Sequence, residues 1–234
     1  MSSINQVVIL AGGKGTRMGE MTHSTPKPMV EIGGKPVLVH LMEIFDSFDN
    51  FEYLICTGYL GDIIENYFSQ NSNVTTINTG DETPTGGRIK KIEEHLNENI
   101  IVTYGDGLAN VNINKLMDFH LKHQKIGTIT VTNPESRFGL VEFNDTNKVT
   151  SFIEKPTLQG HINMGFMVFN KKFISYIDEL STLESKPIEN LANDGELYAY
   201  EHLGFFKPMD TYREYLMFNN LWENNEKPWL NFND

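Results

Sequence analysis

Val7-Val8-Ile9-Leu10-Ala11-Gly12-Gly13-Lys14-Gly15-Thr16-Arg17-Met18 is five apolar residues, a break into glycine, and then an arginine. Aliphatic residues at 7–10 followed at once by a Gly-rich run read as a strand that empties into a loop. The same texture returns at 53–57, 74–77 and 100–104, and the segments between carry apolar residues at helical spacing. Val37, Leu38, Leu41, Ile44, Phe45 and Phe48, behind Pro36, make the clearest amphipathic helix, and others are expected at about 62–68, 87–96 and 113–123. Alternating strands and helices predict βαβ units around a mainly parallel sheet, an α/β fold. From 128 the texture changes to strands with few helices between them, at 128–131, 140–143, 149–153 and 165–169, which predicts a mixed sheet or a small binding subregion. Tyr212, Tyr215, Leu216, Leu221 and Trp222 predict a packed terminal helix over 211–222.

Composition narrows the function. The 234 residues, 39% hydrophobic and 21% charged, suit one folded domain over 1–234, whose texture changes at about 125. A net charge of -12 argues against nucleic acid or an anionic membrane as partner, so any phosphate has to be met locally. The one cysteine, Cys56, lies inside an apolar run and reads as a buried thiol. The opening residues have no basic region and the apolar run at 7–11 is too short for a span, so the chain is expected in the cytoplasm.

Six segments carry candidate chemistry. The glycines at 12, 13 and 15 expose backbone N–H groups to an approaching phosphate. The dinucleotide fingerprint would need glycine where Met18 stands, and the P-loop would need Ser or Thr where Pro36 follows Lys35, so Arg17 gains weight. Pro26 and Pro28 bracket Lys27 and present its charge from a stiff loop. Asp106, between Gly105 and Gly107 at the end of a strand, sits where open α/β sheets place a ligand and suits a hard cation. Thr85-Gly86-Gly87-Arg88 opens a helix whose free N–H groups could admit a base or phosphate. Glu154-Lys155 and Asp210-Thr211 complete the set, each with a bland alternative: a charged strand end for the first and an N-cap for Asp210. Seven histidines show no zinc spacing, and His120 and His123 are expected to be solvated.

The order of these motifs resembles the sugar-phosphate nucleotidyltransferases over essentially the full length, most closely the branch that transfers CMP to glucose 1-phosphate. The residues that carry the resemblance are the 10–17 loop, Pro26-Lys27-Pro28-Met29 through Pro36, Thr79-Gly80-Asp81 leading to Thr85-Gly86-Gly87-Arg88, Tyr104-Gly105-Asp106-Gly107, Arg137-Phe138-Gly139, Glu154-Lys155-Pro156 and Pro208-Met209-Asp210-Thr211. The resemblance implies a Rossmann-like three-layer fold with a nucleotide-binding half at about 1–125 and an acceptor-binding and C-terminal part at about 126–234, CTP and a phosphorylated small molecule as substrates, Mg²⁺ as cofactor and a homo-oligomer. It implies that Leu10, Ala11, Gly12, Gly13, Gly15, Thr16, Thr85, Gly86, Gly87, Arg88 and Gly105 surround the nucleotide. Arg17 would meet the β- and γ-phosphates and Lys27 the α-phosphate, Asp106 and Asp210 would hold the metal, and Gly139, Glu154, Lys155, Asn163 and Gly165 would meet the acceptor.

Two departures fall on the acceptor side. The segment between Phe68 and Thr79 is shorter than the family's, and the family's Asn-Gly-Gly-Phe is here Asn163-Met164-Gly165-Phe166. Other readings remain: the same transfer to a different phosphorylated metabolite, a glycosyltransferase of GT-A type, or a nucleotide-binding module without turnover.

Overall fold

The computed structural model describes residues 4–232. Its strands are β1 (Gln6–Leu10), β2 (Glu31–Ile32), β3 (Lys35–Pro36), β4 (Glu52–Thr57), β5 (Val74–Asn78), β6 (Asn99–Tyr104), β7 (Gly107–Ala109), β8 (Gly127–Thr132), β9 (Leu140–Phe143), β10 (Val149–Ile153), β11 (Ile162–Asn170), β12 (Leu197–Glu201) and β13 (Phe206–Pro208). The α-helices are α1 (Val37–Asp46), α2 (Gly61–Phe68), α3 (Thr85–Lys91), α4 (Ile113–His123), α5 (Lys186–Asn193) and α6 (Tyr212–Glu223).

Seven strands form the central sheet in the order β12-β8-β11-β6-β1-β4-β5. The pairs β1–β4, β1–β6, β4–β5 and β12–β8 run parallel, while β11 is antiparallel to both β6 and β8. Every residue of β1 is buried. Because side chains alternate across a strand, Val7 and Ile9 join one apolar cluster and Val8 and Leu10 the other, on opposite faces of the sheet. Helices cover both clusters, which gives three layers, the α/β architecture expected.

Local chemistry explains the element ends. Asn112 caps α4 by accepting from the Lys115 N–H at 3.0 Å, and Thr211 with Glu214 forms a capping box at α6. The expected helix at 87–96 is shorter and starts earlier, running as α3 before a separate 3₁₀ turn at Glu93–His95. Strand β11 is longer than the expected 165–169 because Ile162 and Asn163 already pair with β8. Helix α5 and strand β12 were not anticipated, so the C-terminal part is less purely β than its texture suggests. Between 132 and 162 the chain leaves the sheet as a separate antiparallel ribbon, β9–β10, whose residues are mostly exposed.

Cys56 is fully buried, and burial pushes its thiol up to about 12. His120 corrects the solvated reading, since it is 2% exposed and bonded through Nδ1 to Thr128 Oγ1 at 2.9 Å. His123 Nε2 reaches the same hydroxyl at 2.7 Å. Its ring stacks on Tyr198. The helix face that carries both packs against β8 and β12 rather than water.

Burial lowers the His120 pKa from 6.5 to about 4. The unfolded chain therefore binds a proton that the folded chain refuses, and stability is full above pH 6.5 and lost as pH falls toward 4. Thermal unfolding followed by circular dichroism between pH 7.5 and 4 is expected to show the midpoint falling across that window, with a shallower fall in His120→Gln.

Candidate active site

Strands β1 and β6 are neighbours and parallel, so their carboxyl ends open on one edge of the sheet, and a cavity of about 950 Å³ lies there. One end is walled by the 10–17 loop, Lys27, Asp106 and Asp210, and the other by Ile129, Ile162, Asn163, Met164 and Ile188.

The loop after β1 is held from below. Ala11 N–H donates to the Cys56 carbonyl, and the Gly12 carbonyl accepts from the Arg88 guanidinium at 3.0 Å. Arg88 is 4% exposed and donates also to Thr57 O at 2.9 Å and Thr79 Oγ1 at 2.6 Å. It therefore ties the loop to the ends of β4 and β5. A side chain at Gly12 would lie 2.0 Å from Arg88 Nη1, so only glycine fits over the guanidinium. Gly15 has φ +61° and a Cβ there would meet Lys27 Cβ at 2.9 Å, so glycine is needed for both conformation and space. Gly13, Lys14, Thr16 and Arg17 remain exposed at the cavity mouth.

Four charges converge beside this loop. Lys27, buried in a 3₁₀ turn, donates through Nζ to Asp106 Oδ2 and, at 2.5 Å, to Asp210 Oδ1. Arg17 Nη1 donates to Asp210 Oδ2 at 2.8 Å. The carboxylates come together through the backbone: β13 pairs with β7, and Met209 N–H donates to the Asp106 carbonyl at 2.9 Å. Asp210 is not the N-cap of α6, because Thr211 holds that position. Among the described residues no group of three or more His, Cys, Asp or Glu gathers for a metal. Two converging carboxylates still suit a hard cation that takes its remaining ligands from substrate phosphates and water.

The other candidates are placed less uniformly. Thr85 and Arg88 line the cavity, but Gly86 and Gly87 face away from it, packed where a Cβ would meet Ser181 O at 2.8 Å and Glu179 O at 2.1 Å. Their lack of side chains admits the 179–181 turn rather than a base. Asn163 is at the wall and accepts from the Gly165 N–H at 2.9 Å, whereas Gly165, at φ +83°, makes room for the Tyr104 ring. Gly139, Glu154 and Lys155 lie on the exposed ribbon and do not line the cavity, and Lys155 has φ +47°.

Two acidic cavity residues went unnoticed in the sequence. Glu184 accepts from the Tyr104 hydroxyl and, at 2.7 Å, from Thr85 Oγ1. Burial first, and then the Glu184 charge, push the Tyr104 phenol well above its ordinary value. Glu184 precedes the unanticipated α5, and no spacing signal marked it. Glu82 crosses the mouth to pair with Lys14 at 2.5 Å, an exposed contact of little energetic weight.

Residues 6–202 match the model of the family described as nucleotidyl transferase. The chain belongs to this family. It is 41% identical to the glucose-1-phosphate cytidylyltransferase of Salmonella typhimurium, with 96% of this chain and 98% of the relative covered. It is 36% identical to the probable glucose-1-phosphate cytidylyltransferase of Bacillus subtilis, with the same coverage of both. The crystal structure of HddC from Yersinia pseudotuberculosis superposes with a TM-score of 0.74 at 26% identity, covering 94% of this chain and all of that one. The chain is thus a nucleotidyltransferase, which sets aside the glycosyltransferase reading, and the family generally uses a divalent metal. The Salmonella alignment spans 253 positions, more than the 234 residues here, so that relative carries chain absent from this protein.

Arg88→Met would remove the guanidinium from Gly12 O, Thr57 O and Thr79 Oγ1, leaving Thr57 O with the Thr79 N–H and hydroxyl and Gly12 O with the Tyr59 N–H. A loss of roughly 3 kcal/mol in urea unfolding is expected. Unchanged stability with a raised nucleotide KM would instead make Arg88 a ligand contact.

Proposed function

We propose that this enzyme transfers CMP from CTP to a sugar 1-phosphate, glucose 1-phosphate foremost, with Mg²⁺ held by Asp106 and Asp210, giving a CDP-sugar and pyrophosphate. The convergence of Arg17, Lys27, Asp106 and Asp210 over the exposed 13–17 loop carries this reading. The names of the Salmonella and Bacillus relatives support the base and the acceptor.

The cavity has room for both substrates side by side: nucleotide over the 10–17 loop and acceptor against β8 and β11. An acceptor phosphate oxygen forms its bond to the α-phosphorus as the bond from that phosphorus to the bridging oxygen of pyrophosphate breaks. Lys27, on a backbone stiffened by Pro26 and Pro28, offsets charge at the α-phosphate, and Arg17 at the mouth offsets it on the departing pyrophosphate. The cation supplies charge neutralisation and orientation of the phosphates.

A second reading keeps CTP and changes the acceptor to another phosphorylated metabolite. Met164, buried at 4% exposure and still part of the cavity wall, favours it, because a thioether there reshapes the end remote from the loop. The ribbon exposes Phe138, Phe143 and Phe152, each at 64% or more, and a second copy of the chain is the occupant we assign to it in a homo-oligomer.

Pyrophosphate release with Mg²⁺, pairing CTP, UTP, dTTP, GTP and ATP with sugar 1-phosphates and non-sugar phosphates, tests both readings. CTP with glucose 1-phosphate is expected to be the productive pair. Release only with another acceptor selects the second reading, and silence with every pair returns the chain to a binding module. Asp106→Asn is expected to lower turnover by about 10²–10³ with its circular dichroism unchanged, and Lys27→Ala to lower kcat more than nucleotide affinity. Full activity in either variant removes that residue from its role.

A further inference from the structure

Lys27 occupies the same carboxylate oxygens that the cation needs. Its ammonium touches Asp106 Oδ2 and Asp210 Oδ1 together, and its side chain is only 10% exposed. The two carboxylates do not depend on the lysine for their approach. Pairing of β7 with β13, in the register Gly107 with Pro208, and the Met209–Asp106 backbone bond fix both chains from below. Pro28 packs on Gly105, where a Cβ would stand 3.1 Å from its ring, so the Lys27 backbone is held against the Asp106 strand end as well. The movable part is the four-carbon stem of Lys27. Arg17, the other cation in contact, is 71% exposed and reaches only Asp210.

We propose that Lys27 and the divalent cation compete for the Asp106–Asp210 pair, so that the ammonium leaves the carboxylates before the cation is held. This rests on the assignment of those aspartates to the cation. Two like charges sharing the same oxygens would repel strongly in a site this enclosed. With the lysine in place the cluster Arg17, Lys27, Asp106 and Asp210 is formally neutral, so the carboxylates do not repel one another without metal. Release from the carboxylates then frees the Lys27 charge for the phosphates.

The test is Mn²⁺ binding to the whole protein without nucleotide, read by electron paramagnetic resonance of the free ion. Lys27→Met, which removes the charge at similar length, is expected to bind Mn²⁺ at least tenfold more tightly than wild type, and Lys27→Arg to show no gain. Affinity unchanged or weakened in Lys27→Met, or an equal gain in Lys27→Arg, overturns the competition. Asp106→Asn separates the two levels. If it leaves Mn²⁺ binding intact, the cation assignment itself falls, and if it abolishes binding while Lys27→Met shows no gain, only the competition falls. Should Lys27→Met not fold, the ε-methylene resonance of Lys27 in wild-type protein gives the answer. It is expected to shift with Mg²⁺ at the half-saturation of cation binding, and an unmoved resonance overturns the proposal.

Discussion

Strand β1 is paired on both edges and covered on both faces, and every polar group where it ends has to be answered inside the protein. The carbonyls of Gly12 and Thr57 converge at that point with the Thr79 hydroxyl, and one guanidinium, that of Arg88, answers all three. An arginine suits this because its planar donors diverge and it keeps its charge even though burial lowers its pKa. The Gly-rich loop thus leaves the sheet with its inner face satisfied and its outer face, from Gly13 to Arg17, open to solvent. A loop held in this way presents its N–H groups without first having to order them.

The charges that face the loop arrive from three distant parts of the chain. Lys27 comes from the turn after the loop, Asp106 from the end of β6, and Asp210 from beyond β13. Their meeting depends on the short β7–β13 ladder, only three residues on each side. This small antiparallel pair, outside the main sheet, sets the distance between the two carboxylates, and the terminal helix α6 with its Thr211–Glu214 capping box begins at once behind Asp210. The fold therefore couples the packing of its last helix to the electrostatics of the site.

Much of this was legible in the sequence and some was not, for physical reasons. The parallel half announced itself because strands buried on both faces are continuous apolar runs, and residues 7–10, 53–57 and 100–104 are such runs. Asp106 was found because strand-end glycines flank it. Arg88 was read as a possible ligand contact, since a sequence gives no sign that an arginine after two glycines will turn inward. The same blindness affected Gly86 and Gly87, whose small size admits a turn at 179–181 that lies some ninety residues away. His120 was misplaced because a histidine on a mostly polar helix looks solvated until a strand hydroxyl, Thr128, is known to sit opposite it. Helix α5 is short, eight residues, and Lys, Glu and Asn dominate it, so its apolar stripe of Pro187, Ile188 and Leu191 was too brief to register.

The two ends of the cavity are built on different principles, and this bears on which one can vary. The nucleotide end is made of parallel strand termini and backbone turns that Arg88 and the glycines lock together, so a substitution there disturbs several contacts at once. The acceptor end is made of β8, β11 and the segment before α5, where shape depends on single side chains. Gly165 is the clearest instance: its positive φ and missing Cβ let the Tyr104 ring approach β11 closely, and the ring in turn carries its hydroxyl to Glu184. Met164, beside it, reaches both the core and the wall. A change at 164 can therefore alter the space offered to an acceptor while leaving Lys27, Asp106 and Asp210 where they are. Of the two departures expected on the acceptor side only Met164 lies there; the short segment between Phe68 and Thr79 runs into β5, at the sheet edge away from β8 and β11, and lines no part of the cavity.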